Sequence, residues 1–373
     1  MSLLEGRYRY ALRLLPASYR AEREEEMVCA FLEGAGDLHD EDNPRPRWSE
    51  IASVAALSVR VRLGGVGAAP RFFAWGQAVR LVAVLGLSFH ATMSCVWLAN
   101  TLKFHGFFGA PSGDYQTALG SAGSAERLRD IAQVLTYLLW IAAAASLVRG
   151  RPRAAKTTAL LALALSYGPV IQSGNVLWNG GTKSVVLHSV LFVVPMLALP
   201  AGFHRDAPRN RHPWWVAALP VGAGTLLYVI LNVLGSASMA QTVNWQFWSW
   251  IWPWLGESGL ACLALLAASV SLVGTHLWAP ARRTPSLPLA LAILAVPVML
   301  THVFSLTFDA IDPATRTMAV VNVGQLIALL LSALTLIVLT AKTMPPRRVR
   351  PQPTPEPTAP GDDTGLPLPE DQD

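Results

Sequence analysis

The chain has 373 residues, of which 52% are hydrophobic and only 14% are charged, and its formal net charge is +5. A soluble globular protein carries roughly 25% charged residues, so this composition argues against a surface that is wholly exposed to water. The basic residues flank long apolar runs, which favours a role in membrane topology over direct binding of nucleic acid.

Motifs for catalysis and metal binding are missing from the sequence. Cys29, Cys95 and Cys262 are too few and too scattered for a disulfide framework or a zinc site. The sequence also lacks His-x-x-x-His and Cys-x-x-Cys spacings, a G-x-S-x-G elbow, an H-E-x-x-H helix and a P-loop. We therefore expect no catalytic residues, no metal site, no cofactor and no intrinsic ATPase activity.

Residues 1–64 predict a small module of three helices, because apolar residues recur at helical spacing. The first helix ends at Pro16, the second runs through Met27 and Phe31, and the third extends from Trp48 to about Leu63. Glycines at positions 64, 65 and 67 predict a flexible joint, and residues 65–78 form a linker to the membrane.

The first two helices carry a recognisable pattern. The run Leu14-Leu15-Pro16-Ala17-Ser18-Tyr19-Arg20-Ala21-Glu22, followed by Glu26-Met27, combines Leu-Pro, Arg-x-Glu and Glu-Met. It resembles the helical prefix module that precedes membrane segments in the HAAS-type signalling family and in some ABC-type permeases.

The resemblance implies a regulatory role and a cytoplasmic protein partner, such as a transcription factor of the PadR type. Arg20, Glu22 and Glu26 occupy the matched polar positions and are the expected partner-binding residues. The alternative is that Arg20 and Glu26 only tie the two small helices together. Short predicted outer loops argue against permeases of the macrolide-exporter class, which carry a large extracytoplasmic domain.

Eight apolar runs are long enough to span a membrane, since about 20 apolar residues in a helix cross ~30 Å of hydrocarbon. They lie at about 79–99, 131–148, 157–176, 184–203, 214–235, 256–278, 287–308 and 318–341. Pro169, Pro195, Pro220 and Pro297 fall inside these runs and predict kinks. We therefore predict an all-α fold, with a polytopic bundle of about eight transmembrane helices over residues 79–341 and a disordered Pro-rich and acidic tail over residues 342–373.

The loops predict the orientation of this bundle. Lys and Arg crowd the segment before the first span and the loops after the second, fourth, sixth and eighth spans. The loops on the other side contain only Lys103, Arg127, Arg129, Lys183 and Arg316. Because basic residues are retained in the cytoplasm, both termini are predicted to face the cytoplasm of a cell with this protein in its plasma membrane.

Ionisable residues within the spans are candidate functional groups, since a charge is costly inside a membrane. They are His90, His188, His302, Glu257 and Asp309, and Asn232, Asn322 and Gln325 add neutral polarity. His302 and Asp309 are two helical turns apart and share a face, which could support a proton relay. The alternative is that each histidine makes a hydrogen bond across helices and only holds them together.

A cluster of tryptophans over residues 245–254 precedes the sixth span. Indole rings favour the headgroup layer, so the cluster is expected to anchor the chain at the interface with membrane lipid. A second interpretation combines Trp248 and Trp252 with Glu257, because aromatic faces and a carboxylate can hold a lipid headgroup, an amine or a quaternary ammonium ligand.

Two functions from different classes fit these observations. The first is a signalling or regulatory membrane protein, in which the N-terminal module binds a soluble partner and the bundle senses lipid or the state of the envelope. The second is a transporter or a transport accessory subunit, in which polar residues and kinked spans line a pathway. The sequence does not indicate an oligomeric state.

Overall fold

The computed structural model describes residues 2–35, 45–65, 68–107, 124–167, 181–204, 213–238, 245–278, 284–306 and 312–344. Within these ranges every regular element is an α-helix. In chain order the helices are α1 (Leu3–Leu12), α2 (Ala17–Ala35), α3 (Trp48–Arg62), α4 (Pro70–Phe104), α5 (Ala125–Val148), α6 (Pro152–Ser166), α7 (Gly181–Gly202), α8 (Trp214–Ser238), α9 (Trp245–Trp248), α10 (Trp252–Leu255), α11 (Glu257–Trp278), α12 (Ser286–Ser305) and α13 (Pro313–Thr343). The prediction of an all-helical fold is confirmed.

Six of the described helices are long and apolar enough to cross a membrane: α4, α5, α8, α11, α12 and α13. The third and fourth predicted spans correspond to α6, which has 15 residues, and to α7, whose shorter apolar segment is Ser189–Gly202. Residues 168–180 between them, including Pro169, lie outside the described part of the chain. The structure thus supports a bundle of several membrane-crossing helices, with six of sufficient length where the sequence predicts eight.

Helix α4 is the centre of the bundle and packs against α5, α7, α8 and α12. Small buried side chains on its surface, among them Ala78, Ala83 and Ala91, let the neighbouring backbones come close. Pro195 lies inside α7, and a β-carbon at Gly86 would overlap its ring. A glycine on α4 therefore accommodates the proline of α7.

Two apolar clusters fill the bundle, and α12 contributes to both. One joins α4, α5, α6 and α7 to the start of α12 through residues such as Leu87, Trp140 and Leu199. The other joins α11, α12 and α13 through residues such as Cys262 and Leu329. Since both clusters meet on α12, the two halves of the bundle are packed together.

The three N-terminal helices have an apolar cluster of their own. Its buried members are Tyr8, Leu12, Leu15, Tyr19, Val28, Val54 and Val61. The rings of Tyr8 and Phe31 stack with their centroids 3.9 Å apart, which fixes α1 on α2. The carbonyl of Leu14 accepts hydrogen bonds from Ser58 Oγ and from the Arg62 guanidinium, so the loop between α1 and α2 is also tied to α3.

The described start of the connection between α3 and α4 is a turn at Gly64 and Gly65. Gly64 has φ +81°, a left-handed conformation that glycine adopts without steric cost, and the Gly65 amide donates to the carbonyl of Arg60 at 2.8 Å. A β-carbon at Gly76 would overlap the carbonyl oxygen of Leu63, so this turn lies directly on α4. The sequence predicts a linker over residues 65–78, whereas in the structure α4 already begins at Pro70.

Candidate functional site: a polar cavity inside the bundle

A cavity of about 450 Å³ lies among α4, α5, α6, α7 and α11. Its wall combines aromatic rings, amide and hydroxyl groups, one imidazole and one carboxylate. The lining residues are His90, Met93, Ser94, Trp97, Gln133, Thr136, Tyr137, Trp140, Leu165, Ser166, Phe192 and Glu257. Two of the ionisable residues that the sequence singles out, His90 and Glu257, therefore contribute to the same site.

Two helices supply most of the polar wall. On α4, His90, Ser94 and Trp97 recur every three or four residues and so share one face. On α5, Gln133, Tyr137 and Trp140 do the same. Gln133 Nε2 donates to Tyr137 Oη at 2.7 Å, which fixes both side chains at the wall. The pattern of each helix thus turns a polar and aromatic stripe towards the cavity.

An aromatic stack forms one side of the site. The rings of His90 and Phe192 are stacked at 4.2 Å, and Trp140 lies 5.2 Å from Phe192 and 5.3 Å from His90. His90 Nε2 is 3.4 Å from the carbonyl oxygen of Leu191, at the long limit for a hydrogen bond. His90 is only 4% exposed, so packing from α5 and α7 determines its orientation.

Glu257 is the first residue of α11 and is half-buried. A carboxylate in the first helical turn interacts favourably with the helix dipole. Within the described part of the chain it makes no ion pair with a Lys, Arg or His side chain. The α10 segment holds the start of α11 in place, because a β-carbon at Gly259 would overlap the carbonyl oxygen of Pro253.

A second, apolar cavity of about 170 Å³ lies on the other side of His90. Its wall includes Phe89, Pro195, Leu265 and Pro297, from α4, α7, α11 and α12. His90 therefore belongs to the walls of both a polar and an apolar space.

His302 occupies a different part of the bundle. It is 1% exposed, and its Nδ1 lies 2.8 Å from the carbonyl oxygen of Val298, while Nε2 lies 2.9 Å from Gln325 Oε1. Gln325 Nε2 in turn donates to the carbonyl of Pro253 at 3.4 Å. The geometry matches the alternative of a histidine that joins helices, here α12 to α13 and α10. Asp309, its predicted relay partner, lies outside the described residues.

The tryptophan cluster packs against α13 and does not reach the polar cavity. Trp248 is buried, and its ring lies 6.4 Å from that of Trp252. Neither ring belongs to the cavity wall that contains Glu257. The predicted grouping of Trp248 and Trp252 with Glu257 is thus replaced in the structure by a grouping of Trp97, Trp140 and Glu257.

The polar residues of the N-terminal pattern lie on α2. Glu22 and Glu26 are exposed, one helical turn apart. Arg20 is half-buried, and its Nε has no hydrogen-bond acceptor among the residues the structure describes. The alternative to partner binding was that Arg20 and Glu26 tie α1 to α2, and in the structure Arg9 and Glu25 form such a tie.

The Arg9 guanidinium donates to both carboxylate oxygens of Glu25, each at 2.8 Å, and its Nε donates to Glu5 at 3.0 Å. These hydrogen bonds hold the pKa of the Glu25 carboxyl below its usual range and raise that of Arg9. A bidentate pair of this kind fixes the relative position of the two helices.

No group of three or more metal-ligating side chains occurs in the described ranges. Comparisons of the chain with protein-family models, with curated protein sequences and with solved structures find no match. The resemblance of the N-terminal residues to a HAAS-type or permease prefix therefore stays a prediction.

Several residues of the cavity wall are not predicted from the sequence, because only ionisable groups inside apolar runs are candidates there. Gln133, Tyr137 and Trp140 are not ionisable near neutral pH, and Trp97 stands alone near the end of its run. Their signal is periodicity, because polar and aromatic residues recur at helical spacing on α4 and α5. A search for such stripes would identify both faces of the cavity.

Proposed function

We propose that the chain is a regulatory membrane protein in which a ligand in the polar cavity controls the binding of a cytoplasmic protein to the N-terminal helices. The observation that carries this proposal is the path of α4. Near its start, Gly76 contacts the turn that follows α3, and further along, His90, Ser94 and Trp97 line the cavity. One continuous helix therefore connects a ligand site to the N-terminal helices.

The proposed topology follows the distribution of Lys and Arg. The chain crosses the plasma membrane eight times, α6 and α7 belong to the third and fourth spans, and both termini face the cytoplasm. In this arrangement the N-terminal helices meet cytoplasmic proteins. The cavity lies towards the outer face, because it is formed at the end of α4, the start of α5, the end of α6 and the start of α11.

Helix α2 offers the surface for the partner. Glu22 and Glu26 share an exposed face and make no ion pair within the described ranges. An exposed acidic pair on a firmly packed helix suits a basic surface on a soluble protein, which it would attract and orient. The resemblance of this segment to a partner-binding prefix points to the same residues.

Affinity purification from gently solubilised native membranes tests this proposal. Full-length protein is compared with the single variants Glu22→Lys and Glu26→Lys, with the double variant Glu22→Lys/Glu26→Lys, and with Glu33→Lys, which makes the same single reversal of charge at another exposed position of α2. We expect a soluble protein, identified by mass spectrometry, to accompany the wild type and the control but not the double variant. The same set of soluble proteins with all of these samples would overturn the proposal.

Transport is the second candidate, and the cavity itself is the observation that favours it. A polar space between membrane helices that shares His90 with a second cavity would form part of a solute pathway. A solute phenotype caused by Glu257→Gln or His90→Ala, but not by changes at Glu22 and Glu26, would favour transport. A phenotype caused by changes at Glu22 and Glu26, but not by Glu257→Gln or His90→Ala, would favour regulation.

A further inference from the structure

We propose that the polar cavity binds an organic ammonium cation, with Glu257 as its counter-charge and the rings of Trp97, Tyr137 and Trp140 as its walls. This inference names the ligand class for the site that the proposed function uses. It combines three observations from the described residues: the charge of the lining, the chemistry of its rings, and the presence of a single carboxylate among them.

Charge comes first. The described wall contains one carboxylate and one imidazole but no Lys or Arg. A carboxylate removed from bulk water is costly unless a positive charge accompanies it. Because no described side chain supplies that charge to Glu257, a cation from outside the protein is the natural complement of the site.

The rings then select the kind of cation. Aromatic faces attract cations, most strongly those of tryptophan, and the attraction grows when water is excluded. Trp97 leaves 43% of its surface exposed, so its ring is available to a ligand, whereas Trp140 and Phe192 are largely buried parts of the same wall. A volume of about 450 Å³ falls within the range of about 300–1,000 Å³ that is typical of small-molecule sites.

The described lining suits a metal ion poorly, because Glu257 is its one carboxylate. A hard metal cation needs several oxygen ligands in its first shell, often with more than one carboxylate. The described lining offers one full negative charge surrounded by rings, which suits an alkyl or quaternary ammonium group.

An ammonium group can come from a free amine or from the headgroup of a lipid. Choline is the probe, since its neutral isostere 3,3-dimethylbutan-1-ol has the same shape without the charge. Binding of tritiated choline is measured with the full-length protein in nanodiscs that contain only phosphatidylglycerol. We expect saturable binding that tetramethylammonium displaces and the isostere does not. No saturable binding, or equal displacement by the isostere, would overturn the proposal.

Two variants and one control assign the site. Glu257→Gln keeps the shape but removes the charge, and we expect choline affinity to fall at least tenfold. Trp97→Leu removes one ring and should weaken binding ~3–10-fold. Trp250→Leu is the matched control, because Trp250 is exposed and lies outside the cavity wall. Unchanged affinity in Glu257→Gln, with a native elution profile, would contradict the assignment.

A further arm identifies the source of the ammonium group. Nanodiscs that also contain phosphatidylcholine should show weaker choline binding if lipid headgroups enter the site, and unchanged binding if the ligand is a free amine. Either result supports ammonium recognition. The Glu22→Lys/Glu26→Lys variant should bind choline normally, so a failure of partner binding and a failure of ligand binding can be told apart.

Discussion

The carbonyl oxygen of Leu63 lies directly against Gly76, at a point where α4 has room for a hydrogen atom but not for a methyl group. Leu63 is the C-cap residue of α3, and Gly76 lies in the part of α4 that precedes the apolar run. Directly after Leu63, Gly64 adopts a left-handed conformation. The start of α4 and the end of α3 are therefore in direct backbone contact, which is the contact that the proposed function requires.

Gly76→Ala should separate the two helices. The added methyl group overlaps a backbone oxygen that cannot move independently, and such overpacking costs about 1–3 kcal/mol. We expect a lower thermal unfolding temperature and faster amide hydrogen exchange over residues 60–65. Gly222→Ala on α8 is the control, because a β-carbon there meets nothing within 4 Å. Equal unfolding temperatures and equal hydrogen exchange in the two variants would show that the contact between Leu63 and Gly76 does not stabilise the fold.

Gln325→Leu should lower the thermal stability of the bundle and leave the choline affinity of the cavity nearly unchanged. The change leaves one nitrogen of a buried imidazole, that of His302, without its partner, at a cost of about 1–2 kcal/mol. The double variant His302→Leu/Gln325→Leu should recover part of that loss, which a double-mutant cycle measures by thermal unfolding. Choline affinity should stay within twofold of wild type, and a larger change would place His302 in the ligand pathway.

The pair Arg9–Glu25 should make the N-terminal helices sensitive to acid. Because Arg9 lowers the pKa of Glu25 in the folded protein, the stabilisation is complete above the ordinary pKa of glutamate, ~4.3. It is lost as the pH falls from there through the lower pKa of the folded state. Carboxyl ¹³C NMR of labelled glutamate, assigned with Glu25→Gln, measures that pKa. In Arg9→Gln the Glu25 pKa should rise to its ordinary range, and an unchanged value would refute the pairing.

Asp312 should protect the first turn of α13. Its carboxylate accepts from Thr315 Oγ1 at 2.8 Å and from the Ala314 amide at 2.7 Å, and these bonds lower the pKa of Asp312. This contribution is present above the ordinary aspartate pKa, ~3.9, and is lost as the pH falls below it.

We expect Asp312→Asn to retain part of the cap and Asp312→Ala to lose it. Amide hydrogen exchange at pH 7 over residues 314–317 should therefore rank wild type slowest and Asp312→Ala fastest. Equal exchange in Asp312→Ala and wild type would show that the cap is not needed to hold this turn.

The helices are more predictable from the sequence than the site is. Hydropathy and length are local properties, so the apolar runs predict α4, α5, α8, α11, α12 and α13, although the structure extends α4 at both ends beyond the predicted 79–99. The third and fourth spans are harder, because the described helix around Ala159 has only 15 residues.

The cavity depends on contacts between helices that are distant in the chain. His90 and Glu257 are identifiable as costly polar residues, but no local pattern indicates that they share a wall with Tyr137. Sequence proximity favours Trp248 and Trp252 as the neighbours of Glu257, whereas packing of α9 and α10 on α13 directs those rings elsewhere. The pairing of Arg9 with Glu25 is missed for the same reason, since it bridges two helices.

The central position of α4 also bears on how the bundle is assembled during synthesis. Among the helices long enough to cross a membrane, α4 is made first, and α5, α7, α8 and α12 all pack against it. We therefore expect each of these helices to enter the membrane with part of its final neighbour already in place. The polar stripe on α5, which includes Gln133 and Tyr137, should then meet the matching face of α4 soon after insertion and be exposed to hydrocarbon only briefly.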